Sequence, residues 1–124
     1  MEKASYRICV IGLGYVGLPL AAEFSKQYPV TGFDISKTRI DALQSGKDLT
    51  LEVSEEDLKK VILDHVPGAA ENGLYCTNMI DGIRACNVYI VTVPTPVDKN
   101  NRPDLTPLYK ASETVGKVLK NGDI

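Results

Sequence analysis

Three glycines, Gly12, Gly14 and Gly17, stand between two apolar runs in ICVIGLGYVGLPLAAEF, residues 8–24, and restrict what this chain can become. Glycine costs about 1 kcal/mol in a helix interior and proline about 3, so Pro19 in the same stretch adds to the penalty. Ahead of the glycines, Tyr6–Ile11 is a short β-branched run suited to a strand buried on both faces. Behind them, Val16, Leu20 and Phe24 recur every four residues between Tyr15 and Gln27, which predicts a helix with one apolar stripe. With Gly14 as N-cap, Pro19 falls at the fifth helical position, where it removes a hydrogen bond to the Tyr15 carbonyl.

Strand, glycine turn and helix in that order make an anion-binding device. Gly12 permits the tight turn, Gly14 lets a pyrophosphate approach the backbone, and Gly17 lets the helix pack closely on the sheet. The N–H groups of Tyr15 and Val16 are expected to face the phosphates along the helix dipole. The competing reading is a tight turn with no ligand. A second feature weighs against it: the run Val30–Phe33, after Pro29, ends on Asp34, 22 residues beyond Gly12. A dinucleotide fold needs a carboxylate there to accept hydrogen bonds from the adenosine ribose, and that charge repels a 2′-phosphate, which predicts NAD over NADP. Asp34 could instead serve only to cap the next helix. Lys37 reads as a solvated helix residue, whereas Arg39 could stack on adenine or accommodate a 2′-phosphate.

The remaining chain keeps alternating. Ser36–Gln44 is a helix with Ile40 and Leu43 inward and Gly46 as its C-terminal cap. Another helix starts at Ser54, capped with Asp57, runs through Leu58, Val61 and Ile62, and closes at Pro67-Gly68. Leu74–Thr77 is a weak strand, Met79–Ala85 a short helix, and Val88–Val93 an apolar strand expected at the sheet centre. Thr106 as N-cap and Pro107 at the first helical position begin a helix presenting Leu108, Ala111, Val115, Val118 and Leu119 on one face, ending near Asn121-Gly122. Strands alternating with helices predict a Rossmann-type doubly wound α/β fold with a parallel sheet. All 124 residues form one dinucleotide-binding domain, and the sequence stops at Ile124, where a fifth strand is expected.

Composition narrows the partners. A net charge of -2 does not suggest a nucleic-acid footprint, and the polar MEKASYR opening followed by a glycine-broken run suits neither a signal segment nor a spanning helix. Cys9, Cys76 and Cys86 are odd in number and lack CxxC spacing, which argues against a disulfide framework or a metal site and fits the reducing cytoplasm.

The segments GLGYVGLPLA (12–21), GFDISKTRI (32–40) and YIVTVPTPVDKNNRPDLTPL (89–108) together resemble the UDP-glucose/GDP-mannose dehydrogenase family, the nucleotide-sugar 6-dehydrogenases. VPTP, residues 93–96, is far more specific than the glycine pattern, and VPTP…RPDLTPL looks closest to the UDP-N-acetylhexosamine enzymes. The likeness covers nearly the whole chain and includes Pro19. It implies a two-step oxidation of C6 of a UDP-sugar to the uronate with two NAD+, serving capsule or other surface polysaccharide synthesis. It also implies that Gly12, Leu13, Gly14, Tyr15, Val16 and Gly17 cradle the pyrophosphate. Asp34 and Arg39 hold the adenosine end, and Val93, Pro94, Thr95 and Pro96, chiefly Thr95, line the nicotinamide half.

That oxidation requires a thiolate nucleophile with a base or oxyanion partner. Cys9, Cys76 and Cys86 all read as core residues, and His65 as a helix C-terminal capping residue, so no catalytic residue is assigned in this chain. In the family the nucleophilic cysteine lies beyond the position of Ile124. The chain is thus expected to be the cofactor portion of a longer enzyme, cut at strand 5 and inactive alone, with an exposed strand edge that favours self-association. A stand-alone NAD(H)-binding or sensing module is the alternative.

Overall fold

The computed structural model describes residues 6–124, so the reading of the opening as a polar lead-in falls for residues 1–5 outside the described residues. Four parallel strands form one sheet in the order β3-β2-β1-β4: β1 Ile8–Ile11, β2 Pro29–Phe33, β3 Gly73–Thr77 and β4 Val88–Val91. Helices α1 Gly17–Phe24, α2 Lys37–Gln44, α3 Glu55–Val61 and α4 Thr106–Val118 connect or follow them, with a 3₁₀ turn at Ile80–Ile83. The expected doubly wound α/β architecture is what forms.

Alternation along β1 builds two cores. Ile8 and Val10 join Leu18 and Ala21 of α1, Ile40 and Leu43 of α2, and Leu58 of α3 on one face. Cys9 and Ile11 join Phe33, Ile83, and Ala111 and Val118 of α4 on the other. Both faces of β1 are therefore covered, and its four residues are all buried. Removing roughly 25 cal/mol per Å² of apolar surface from water is the driving term for both layers.

Helix ends follow local chemistry. Ser36 Oγ accepts from Arg39 N at 3.2 Å and Ser54 Oγ from Asp57 N at 3.1 Å, as their N-cap positions require. Gly46 takes the left-handed conformation, φ 84°, just past α2.

Several boundaries differ from the sequence reading. Helix α1 starts at Gly17 with Val16 as N-cap, not Gly14. Pro19 therefore occupies the third helical position, within the first turn that tolerates proline; Leu18 N donates to Gly14 O at 3.2 Å and Leu20 N to Val16 O at 3.3 Å, and Pro19 leaves out the bond between them, to the Tyr15 carbonyl. Helix α3 ends at Val61, well before Pro67-Gly68, because Ile62 turns extended to bridge Leu74 beside β3. The segment read as a helix over Met79–Ala85 is only the 3₁₀ turn.

Strand β4 stops at Val91 and lies, half-buried, at the sheet edge: the edge expected for a chain cut at strand 5 forms, and the central place expected from its apolar residues does not. Its apolar residues face α4 and the first core, and on the side away from β1 Tyr89 N donates to Ile124 O at 2.7 Å while Ile124 N donates to Asn87 O, just ahead of the strand, at 2.9 Å. Helix α4 begins at Thr106 with Leu105 as N-cap, and Pro107 is second. Of its expected face, Ala111 and Val118 are buried and Val115 packs beside them, whereas Leu108 and Leu119 are exposed.

Candidate dinucleotide cleft

A cleft of about 540 Å³ opens at the C-terminal ends of β1, β2 and β4, where a doubly wound sheet presents its ligands. Its floor is Ile11 to Gly14. One wall is Phe33 to Ser36 with Arg39 and Thr50; the other is Val93 and Pro94 with Asp104, Thr106, Pro107, Lys110, Ala111 and Thr114.

The three glycines in the floor are needed for three different reasons. Gly12 has φ 95°, which side chains rarely adopt, and its N–H donates to Phe33 O at 2.8 Å, locking the turn onto β2. At Gly17 a methyl group would collide with the Gly12 carbonyl and with Thr92 Oγ1. Gly14 is unlike both: its φ is not positive, and a methyl group there would meet nothing within 4 Å. Neither backbone geometry nor packing requires glycine at this position, which borders open cleft. Among the described residues, none accepts a hydrogen bond from the backbone N–H of Gly14, Tyr15 or Val16.

Asp34 is fixed on both oxygens. Leu13 N donates to Oδ2 and Ser36 N to Oδ1, each at 2.9 Å. The cap of α2 is Ser36, so Asp34 does not cap the helix itself but steadies the residue that does, and each of its oxygens has capacity for a further hydrogen bond. Arg39 Nε donates to Leu13 O at 2.8 Å and Nη1 to Asp48 Oδ1 at 2.7 Å, so the guanidinium is held against the loop rather than free in solvent. Leu13 itself is fully buried; the cleft side of this residue is its main chain.

Asp48 is likewise buried. Burial alone would raise its carboxyl, but hydrogen bonds from Thr50, the Arg39 guanidinium and the Val53 and Thr50 backbone outweigh this and lower its pKa to about 2. Asp104, half-buried at the opposite wall, is held below the usual carboxylate range by the Thr106 hydroxyl and N–H.

The structure thus brings Gly12, Leu13, Gly14, Asp34, Arg39, Val93 and Pro94 together around one cleft. Tyr15 and Val16 border it with largely exposed side chains, and Gly17 sits behind it in packing. Thr95 and Pro96 are exposed and lie outside the lining; Pro96 O instead accepts from Asp104 N at 2.6 Å, closing the following loop. The sequence reading missed Thr50, Asp104, Thr106, Lys110 and Thr114. For α4 a signal existed: Pro107, Lys110, Ala111 and Thr114 recur at helical spacing beside the buried stripe.

Cys9, Cys76 and Cys86 are all buried, and burial pushes the Cys76 thiol up to about 12. His65 does not cap a helix; its ring bonds Asp64 at 2.8 Å and Glu71 at 2.9 Å, away from the cleft. Among the described residues no helix is long and apolar enough to cross a membrane, and no cluster of His, Cys, Asp or Glu could hold a metal ion.

Comparison with known proteins supplies the context for this geometry. Residues 6–124 match the model described as UDP-glucose/GDP-mannose dehydrogenase family, NAD binding domain. The chain is 53% identical to UDP-N-acetyl-D-glucosamine 6-dehydrogenase of Pseudomonas aeruginosa, over 95% of its own length and 26% of that protein. It is 52% identical to the enzyme of the same description from Salmonella typhi, over 95% of its length and 25% of that protein. Among solved structures, the UDP-D-ManNAc dehydrogenase of Pyrococcus horikoshii superposes with a TM-score of 0.80 at 33% identity, covering 95% of this chain and 27% of that one. The chain therefore spans about a quarter of the length of the relatives it matches.

Proposed function

The chain belongs to the UDP-glucose/GDP-mannose dehydrogenase family through its NAD binding domain, and from that premise we propose that it is the cofactor-holding part of a UDP-N-acetylhexosamine 6-dehydrogenase. The observation carrying this reading is Gly14, a glycine that the protein's own geometry does not need and whose open side faces the cleft. A ligand that must touch the backbone there explains it.

In this reading the loop Gly12, Leu13, Gly14, Tyr15, Val16 and Gly17 receives the pyrophosphate. Asp34 accepts from the adenosine ribose, Arg39 flanks the adenosine end, and Val93 to Pro96, chiefly Thr95, lie toward the nicotinamide half. NAD+ bound there would accept hydride from C6 of the sugar. The nucleophile and sugar-binding groups belong to other parts of the enzyme, so this chain alone binds without turnover. The reaction belongs in the cytoplasm, in keeping with three free thiols, and supplies uronates for surface polysaccharide such as capsule.

The test is a thermal melt with NAD+, NADP+, FAD and S-adenosylmethionine. A ligand at 100 times its dissociation constant adds about 2.7 kcal/mol, which raises the melt by on the order of 10 °C in a domain of this size. The expected result is a shift with NAD+ that Asp34→Ala abolishes. No shift with any ligand, or an equal shift with NADP+, counts against the assignment.

A further inference from the structure

Asp48 lies neither in the glycine loop nor at the end of β2, yet five donors converge on its carboxylate. Oδ1 accepts from Arg39 Nη1 at 2.7 Å, Thr50 N at 2.9 Å and Thr50 Oγ1 at 2.6 Å. Oδ2 accepts from Glu52 N and Val53 N, both at 2.8 Å. The Asp48 side chain has no exposed surface and that of Arg39 is 12% exposed. Arg39 in turn donates to Leu13 O, and Leu13 N donates to Asp34 Oδ2. One unbroken series of hydrogen bonds runs from Asp48 through Arg39 and Leu13 to Asp34.

We propose that Asp48 is a positioning residue for the dinucleotide: it fixes the Arg39 guanidinium so that Arg39 braces the Leu13 peptide between the glycine loop and Asp34. An arginine side chain has many rotamers, so a guanidinium that loses its acceptor is no longer held in one orientation. With Asp48 in place, two of the three guanidinium nitrogens are committed, while Nη2 is buried with no partner among the described residues. Nη1 to Oδ1 is a charge-assisted bond, stronger than a neutral one, and it faces the guanidinium with the carboxylate while Nε holds the Leu13 carbonyl. The consequence falls on the adenosine end of the cleft, where Arg39, Ser36 and Thr50 form the wall.

This inference rests on the cleft binding NAD. Calorimetric titration of NAD+, ADP and nicotinamide mononucleotide into the wild-type chain, Asp48→Asn, Arg39→Ala and the double variant tests it. Asp48→Asn is expected to weaken NAD+ and ADP about tenfold and to leave the mononucleotide unchanged. In the Arg39→Ala background the same change is expected to add less than twofold, because Asp48 acts through Arg39. Losses that multiply in the double variant, or a uniform loss across all three ligands, assign Asp48 only to folding its own loop and overturn the proposal. If Asp48→Asn does not fold, Arg39→Lys carries the test, since it leaves Asp48 and its loop bonds intact: about tenfold weaker NAD+ is expected, and unchanged affinity overturns the proposal. A wild-type chain that binds no NAD+ removes the cofactor reading as well, whereas normal wild-type binding with an indifferent Asp48→Asn removes only the role of Asp48.

Discussion

The hydroxyl of Thr92 donates to the carbonyl of Gly12 at 2.7 Å, tying the first glycine of the loop to the chain leaving β4. That tether fills the space above Gly17, which is why Gly17 and Gly14 should respond differently to the same substitution. Gly17→Ala forces a methyl group into the Gly12 carbonyl and the Thr92 hydroxyl, and overpacking of this kind costs about 3 kcal/mol. Gly14→Ala meets no neighbour and is expected to melt within about 0.5 kcal/mol of wild type. Yet Gly14→Ala should lose at least about tenfold in NAD+ affinity, about 1.4 kcal/mol. Melting curves and NAD+ titrations of both variants check this pair; equal destabilisation, or full binding by Gly14→Ala, refutes it.

Asp48 gives the chain an acid sensitivity of known sign. Its folded pKa of about 2 lies below its ordinary 3.8, so the stabilisation is complete above about pH 4 and is lost as pH falls through 2. The difference corresponds to about 2 kcal/mol. Acid unfolding of wild type and Asp48→Asn should therefore converge between pH 4 and 2, and curves that stay parallel throughout that window would show that the carboxylate carries no such linkage.

His65 titrates in the opposite sense. Hydrogen bonds from its ring to Asp64 and then Glu71 raise its pKa above the ordinary 6.5, so its contribution is complete below that value and fades as pH rises through the folded pKa. Because the chain contains one histidine, a single ring-proton resonance reports it. The titration midpoint should lie above 6.5 and move down in Glu71→Gln. A midpoint at or below 6.5 in wild type would rule this out.

Edge strand β4 leads to an expectation about association. Val91 is 39% exposed on this edge, and the Ile124 pairing covers only the opposite end of the strand. Unpaired parallel edges recruit other strands. Sedimentation should show concentration-dependent self-association that Val91→Lys suppresses; a sharp wild-type monomer at high concentration argues against it.

What could be read in the residues was what is local. The glycine turn, the Ser54 cap, Gly46 and the apolar registers of β1 and α2 depend on neighbours within a few positions, and each forms as expected. The failures depend on distant partners. His65 beside Pro67 read as a helix end, but Ile62 leaves α3 early to meet Leu74, which places His65 in a loop against Glu71. Arg39 and Asp48 are nine residues apart, too far to share a helix face, and only the fold of 48–53 brings them together. Strand β4 read as central because its residues are apolar; an edge strand covered on its faces has the same composition.

The open side of Gly14 also bears on how this loop tolerates random variation. Selection for solubility or yield would hold Gly12 and Gly17, because their replacements disturb the folded chain, but would leave Gly14 free to drift. With the loop binding NAD as proposed, selection through the ligand would see all three. A library sorted for expression alone would thus be expected to lose binding first at the position that looks most permissive.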